Sequence, residues 1–136
     1  MRIFFDTNVL VSAFLSEKNF CFKLVDEVID LGAFVTGEVV LTELERALLK
    51  NAKIAPDDVR GFLADLRELE IAPAPTHPSS VHVRDPDDAL VLASALMAKA
   101  DILVTGDQDL LTLGKVENLR IMSPRELSEL LASEQE

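Results

Sequence analysis

The sequence predicts an α/β chain, a three-layer α/β/α arrangement in which a parallel sheet is covered by helices on both faces. Three observations predict it. Short apolar runs alternate along the chain with helical segments, the pattern left by strand–helix–strand units. The composition is 49% apolar but only 5% aromatic, without Trp or Tyr, so the core is aliphatic. Acidic residues directly follow the apolar runs, at the strand ends where parallel sheets carry functional groups. The length of 136 residues suits one domain, residues 1–136, with a sizeable core.

The elements follow in order. Arg2–Phe5 reads as a short buried strand, and Val9–Leu15 as a helix with Val9, Leu10, Ala13 and Phe14 on one face. Ser16-Glu17-Lys18-Asn19 is a turn. Phe20–Leu31 is a second helix, with Phe20, Leu24, Val25, Val28 and Ile29 as its apolar stripe and Gly32 as its C-terminal cap. Ala33–Thr36 is the second strand. Glu38–Lys50 is helical with Val40, Leu44, Ala47 and Leu48 inward. Pro56 opens a helix carrying Val59, Phe62, Leu63, Leu66 and Leu69 at close to helical spacing. Ile71–Pro75 is a weak strand that its prolines restrict to a sheet edge. Thr76–Ser80 is a loop, and the whole Ala72–Ser80 stretch is too short to separate two domains. Asp85 suits the N-cap and Pro86 the first position of a helix through Ala98. Asp101–Thr105 is a strand, a short helix lies near Asp109–Leu113, and Leu119–Ile121 is the last strand. Ser123-Pro124-Arg125-Glu126 is a capping box opening a final helix with Leu127, Leu130 and Leu131.

Some of the net charge of −11 can sit in a metal site, offset by bound cations; the rest predicts weak non-specific nucleic-acid binding, since phosphate contacts come mostly from Lys and Arg, or a basic partner. The alternative is that the charge only maintains solubility. The single cysteine, Cys21, excludes an intramolecular disulfide and suits core packing. No signal peptide is recognised, and no apolar stretch reaches the roughly 18 residues of a membrane span. A cytoplasmic chain with no membrane partner is expected.

The acids carry the chemistry. Ile3-Phe4-Phe5 runs into Asp6-Thr7-Asn8, and Ile102-Leu103-Val104-Thr105 into Gly106-Asp107-Gln108-Asp109. Asp85-Pro86-Asp87-Asp88 opens an apolar helix, and Glu43 lies early in another. If the strands are parallel, Asp6 and Asp107 can meet at their carboxyl ends. Clustered carboxylates repel and raise each other's pKa unless a cation neutralises them, and a hard divalent ion held by oxygen does so. That predicts a Mg²⁺ or Mn²⁺ site acting on phosphate. Taken singly, each acid has a structural role open to it: Asp6, Asp85 and Asp107 as caps, Asp87 and Asp88 against a helix dipole, Glu43 paired with Arg46. Against those roles, Asp6 leads into an unusually polar strand-to-helix junction. Asp88 also precedes the unbroken apolar run Ala89–Ala93, which places that helix in the core with its acidic start at the sheet's rim.

These segments, Phe5-Asp6-Thr7-Asn8, Leu41-Thr42-Glu43-Leu44, Asp85-Pro86-Asp87-Asp88-Ala89 and Thr105-Gly106-Asp107-Gln108-Asp109, occur in this order over nearly the whole chain. In this the chain resembles the PIN-domain ribonucleases of the toxin–antitoxin (VapC-like) type. The resemblance implies a five-stranded parallel sheet between helices. It implies Asp6, Glu43, Asp88 and Asp107 as metal-binding and catalytic acids, with Asp109 accessory, Asn8 holding the Asp6 carboxylate and Thr105 orienting Asp107. Asp85 and Asp87 compete with Asp88, which aligns best and lies nearest the apolar run. The implied activity is hydrolysis of RNA by water activated on Mg²⁺ or Mn²⁺, with no protein nucleophile. The implied partners are an antitoxin protein and a second copy of the chain in a homodimer. The alternative is a catalytically silent PIN-like protein-binding module. An aspartate-nucleophile phosphatase would want Asp where Asn8 stands, and a receiver domain would want a late strand-end Lys; neither pattern is met.

Smaller features complete the reading. Arg46, Lys50 and Lys53 either guide an RNA backbone or form a solvated helix face. His77 and His82 do not have zinc-site spacing. The mean hydropathy of +0.22 suggests an apolar surface patch at Phe14, Leu15, Phe20 and Phe22, unless these close the core.

Overall fold

A computed structural model of the chain describes residues 1–16, 18–77 and 83–134. Glu17 of the expected turn, Pro78–Ser80 of the expected loop, and His82 lie outside the described residues. Strand β1 (Ile3–Phe5) is fully buried along its length. It lies in the middle of the sheet, which explains why it reads as a continuous apolar run rather than an alternating one. The chain continues through α1 (Thr7–Leu15), α2 (Phe20–Asp30), β2 (Phe34–Gly37), α3 (Glu38–Leu49), α4 (Pro56–Arg67) and β3 (Glu70–Ala72). It then runs through α5 (Pro86–Met97), β4 (Ile102–Val104), α6 (Gln108–Leu111), β5 (Lys115–Val116), β6 (Leu119–Met122) and α7 (Pro124–Glu134).

The sheet has the order β3-β2-β1-β4-β6-β5. Ile3 stands opposite Phe34 of β2 on one side and Ile102 of β4 on the other, both parallel. From β1 the chain winds outward to β2 and β3, then crosses back to β4 and β6. The strand order therefore reverses beside β1, and a sheet wound this way leaves a crevice at the carboxyl ends of β1 and β4. The Asp6 N–H bonds to the Val104 carbonyl at 2.9 Å, so the chain leaves β1 directly into that crevice.

The five expected strands are present, all parallel, and β3 is an edge strand that ends at Ala72, before Pro73. The expectation of five strands needs one correction: β5 is a sixth strand, antiparallel to β6. It is two residues long, held between Gly114 and Glu117, both at positive φ. A strand that short leaves no periodicity to read. The inward face of α3 also shifts. Leu41 joins Val40, Leu44 and Leu48 in the core, while Ala47 is exposed on the helix flank beside the crevice. The anticipated patch divides in two. Leu15 (56% exposed) and Phe20 (45% exposed) are open, with Arg125 5.8 Å above the Phe20 ring. Phe14 packs on Phe62 at 5.1 Å between centroids. The α7 capping box closes as read, Ser123 N–H to Glu126 Oε1 at 3.0 Å and Glu126 N–H to Ser123 Oγ at 3.2 Å. No described helix is long and apolar enough to cross a membrane.

Gly37, at the end of β2, is a point of close approach to α5. A Cβ there would lie 2.1 Å from Ser94 Oγ and 3.4 Å from Phe4 Cζ. Ser94 Oγ is buried and makes no hydrogen bond among the described residues. Gly37→Ala is therefore expected to cost about 1–3 kcal/mol through overpacking. Ser94→Ala alone should cost little, because it removes an unsatisfied hydroxyl. Urea denaturation of the double variant should recover most of the Gly37→Ala loss.

Candidate functional site

The first group in the crevice is Asp6, at the junction of β1 and α1. Its backbone is extended, as an N-cap requires, and its Oδ1 accepts the Thr7 N–H at 2.7 Å. Its Oδ2 accepts the Thr105 hydroxyl at 2.8 Å. Thr105 is fully buried just past β4, and its Oγ1 also accepts the Asp107 N–H at 3.0 Å. One threonine thus couples the ends of the two central strands and aims both of their acids.

The resemblance assigned these neighbours differently. Asn8 does not reach the Asp6 carboxylate; its Oδ1 accepts the Gly106 N–H at 3.2 Å, bracing the turn that carries Asp107. Thr105, read as orienting Asp107, holds Asp6 as well. Thr7, singled out by sequence only as part of a polar junction, donates its hydroxyl to Glu43 Oε2 at 3.0 Å and ties α3 to the same place. The alternative pairing of Glu43 with Arg46 is not formed.

On the facing side is the start of α5. Asp85 caps the helix by accepting the Asp87 N–H at 2.9 Å, and both residues are exposed. Asp88, one turn in, is buried, and its Oδ2 has no hydrogen-bond partner among the described residues. Asp107 Oδ1 accepts the Asp109 N–H at 2.8 Å and caps α6. Oxygens of Asp88, Asp107 and Asp109 lie within 4.8 Å of one another. Asp109 also has Arg84 Nε 3.9 Å away. Asp6, Glu43, Asp88 and Asp107 all line one open cleft of about 380 Å³, shared with Thr7, Asn8, Asp85 and Asp87. The tight oxygen cluster is the Asp88, Asp107 and Asp109 set, with Asp6 and Glu43 further round the wall.

The electrostatics follow from this crowding. Burial is the main cause that raises the Asp88 pKa, with Asp107, Asp6 and Asp85 adding repulsion, and it is pushed up to about 7. Asp6 is also raised, by burial first and then by Glu43 and Asp107, against the lowering pull of its Thr105 and Thr7 hydrogen bonds. A buried acceptor without a donor, in a wall of hard oxygens that resist ionising together, fits a divalent cation. Asp88, Asp107 and Asp109 present the close donor atoms, Asp6 and Glu43 add carboxylates on the same wall, and no soft or imidazole ligand intrudes among the cleft's lining residues.

The PIN domain family model matches residues 2–109 of the chain. No curated protein sequence matches it. Among solved structures, the chain is similar to VapBC2 from Rickettsia felis bound to a DNA fragment from its promoter. The identity is 18%, the TM-score 0.66, and the match covers 90% of this chain and 98% of that one. It is similar to PAE2754 from Pyrobaculum aerophilum at 19% identity and TM-score 0.66, covering 98% and 90%. It is also similar to DNA-bound VapBC from Salmonella typhimurium at 15% identity and TM-score 0.65, covering 91% and 98%. At these identities the likeness is one of fold.

Proposed function

The chain belongs to the PIN-domain family, and from that premise we propose that it is a divalent-metal-dependent endoribonuclease of the cytoplasm, the toxin of a toxin–antitoxin pair. The observation that carries this reading is the convergence of Asp6, Glu43, Asp88 and Asp107 on one cleft, with Asp88 Oδ2 buried and unpartnered. These four are the residues we assign to metal binding and catalysis. The similar structures from Rickettsia felis and Salmonella typhimurium are VapBC complexes, which supports an antitoxin partner. The open Leu15 and Phe20 suit a homodimer or antitoxin contact.

Asp88 and Asp107 would hold the cation, Mg²⁺ or Mn²⁺, with Asp109 accessory and Asp6 and Glu43 completing the ring of acids. When bound, the ion supplies Lewis acidity at the scissile phosphate and a lowered water pKa. The chain's own contribution is orientation. The Thr105 hydroxyl and Thr7 N–H fix the Asp6 carboxylate plane, the Thr105 oxygen fixes the Asp107 backbone, and the Thr7 hydroxyl fixes Glu43. Removing such an outer partner costs about 10–100-fold in metal affinity or activity. Thr105→Val is expected to weaken Mn²⁺ binding by that amount in isothermal titration calorimetry.

The reading is tested by incubating end-labelled single-stranded RNA with the protein in Mn²⁺, Mg²⁺ or EDTA. Cutting that requires the metal supports it. Folded protein that neither cuts nor binds a divalent ion would favour the protein-binding module instead.

A further inference from the structure

Beside the acidic cleft lies a second pocket, of about 280 Å³. The two share Glu43 and Asp87 as a common rim. Away from that rim it is lined by Glu38, Val39 and Thr42 of α3, Leu90 of α5 and Ala74 beyond β3, and Arg46 stands at its edge. The volume is just under the ~300 Å³ at which small-ligand pockets begin, enough for one planar ring system and little else. Arg46 is exposed and makes no ion pair among the described residues. The neighbouring Glu38 is already engaged, by Arg67 at 2.7 Å. An uncommitted guanidinium in a chain of net charge −11, one helical turn beyond Glu43, selects an anionic neighbour.

We propose that this pocket receives one nucleobase of the RNA next to the scissile phosphate, with Arg46 on the adjoining backbone phosphate. This rests on the nuclease reading and assigns its substrate subsite. Val39, Leu90 and Ala74 take the face of a base where no Tyr or Trp is available for stacking, and Thr42 offers a hydroxyl to its edge. The shared rim fixes the register: a base in the pocket puts its neighbouring phosphate at the acids. A basic peptide from a protein partner is the competing occupant, drawn by Glu43 and Asp87 but repelled by Arg46, and a binding comparison separates the two.

Two variants of the full chain test this, Arg46→Gln and the pocket-filling Ala74→Phe. Ala74 is an exposed loop residue, so Ala74→Phe leaves the core intact. Cleavage of a randomised-sequence RNA pool in Mn²⁺ is mapped beside KM and kcat. The expected result is KM raised about tenfold in each variant with kcat nearly unchanged, and an altered base preference beside the cut in Ala74→Phe. Binding of a short fluorescent single-stranded RNA in Ca²⁺, followed by anisotropy, should weaken about tenfold in both. Unchanged KM, cut pattern and RNA affinity in both variants would overturn the subsite, as would a loss confined to the binding of a basic peptide. If the wild-type protein binds the RNA in a manner sensitive to both variants yet never cuts, the subsite stands and the nuclease reading falls.

Discussion

Asp6→Asn is expected to lower metal-dependent RNA cleavage by at least about 10³-fold, a loss of several kcal/mol of transition-state stabilisation. Two effects combine. The substitution removes a charge that the cation site uses, and it breaks the hydrogen-bond logic around it. Both Asp6 oxygens accept, one from the Thr7 N–H and one from the Thr105 hydroxyl. An amide offers one acceptor and one donor, so whichever way it turns, its NH₂ faces a group that was donating. With the amide oxygen kept on the Thr7 N–H, Thr105 must turn its hydroxyl from donor to acceptor, which disturbs the oxygen that also accepts the Asp107 N–H. Asp26→Asn, an exposed change of the same charge on α2, should leave cleavage unaltered. A comparable loss in both variants would mean that bulk charge, and not this site, governs the assay.

That chain of contacts also marks how far the sequence could be read. Asp6 and Asp107 were legible as strand-end acids because an apolar run stops abruptly at each. Their proximity depends on β1 and β4 being neighbours, and no local pattern states a strand order. The Thr105–Asp6 bond spans 99 positions and exists only once that order is known. The resemblance puts Asn8 on the Asp6 carboxylate, whereas the first turn of α1 carries it across to Gly106. Among Asp85, Asp87 and Asp88 the sequence offered three acids in one helical turn. Burial separates them, and burial there follows from how α5 lies against the sheet. Ala47 was misplaced for a related reason: an alanine fits either face of a helix, and the packing of α3 left it on the side of the cleft.

The second large effect is on stability, and it reverses with metal. Asp88 in the folded, metal-free protein has its pKa pushed up to about 7, whereas in the unfolded chain it ionises near the ordinary aspartate value of 3.8. The folded state therefore binds the extra proton between those values. The contribution to stability is fully present below the unfolded pKa and is lost as pH rises through the folded one. Asp6 is shifted in the same direction and adds to the loss. Metal-free protein should melt lower at about pH 8 than at about pH 5. Asp88→Asn keeps the neutral, hydrogen-bonding shape of the protonated acid at every pH, so it should flatten this dependence. At about pH 8 it should be the more stable protein by about 1–2 kcal/mol, after allowing for solvent screening across the open cleft. Mn²⁺ inverts the order. At a concentration about 100 times its Kd it adds ~2.7 kcal/mol to the wild type. Asp88→Asn, lacking a ligand charge, gains much less. Thermal denaturation of both proteins at the two pH values, with EDTA and with Mn²⁺, reads all of this at once. A wild-type melting temperature indifferent to pH and to Mn²⁺ would remove the physical basis for a cation site at Asp88. A crossover in rank between the two proteins on adding Mn²⁺ would identify the burial of Asp88, with the repulsion from its neighbours, as the stability the fold gives up to hold an ion there.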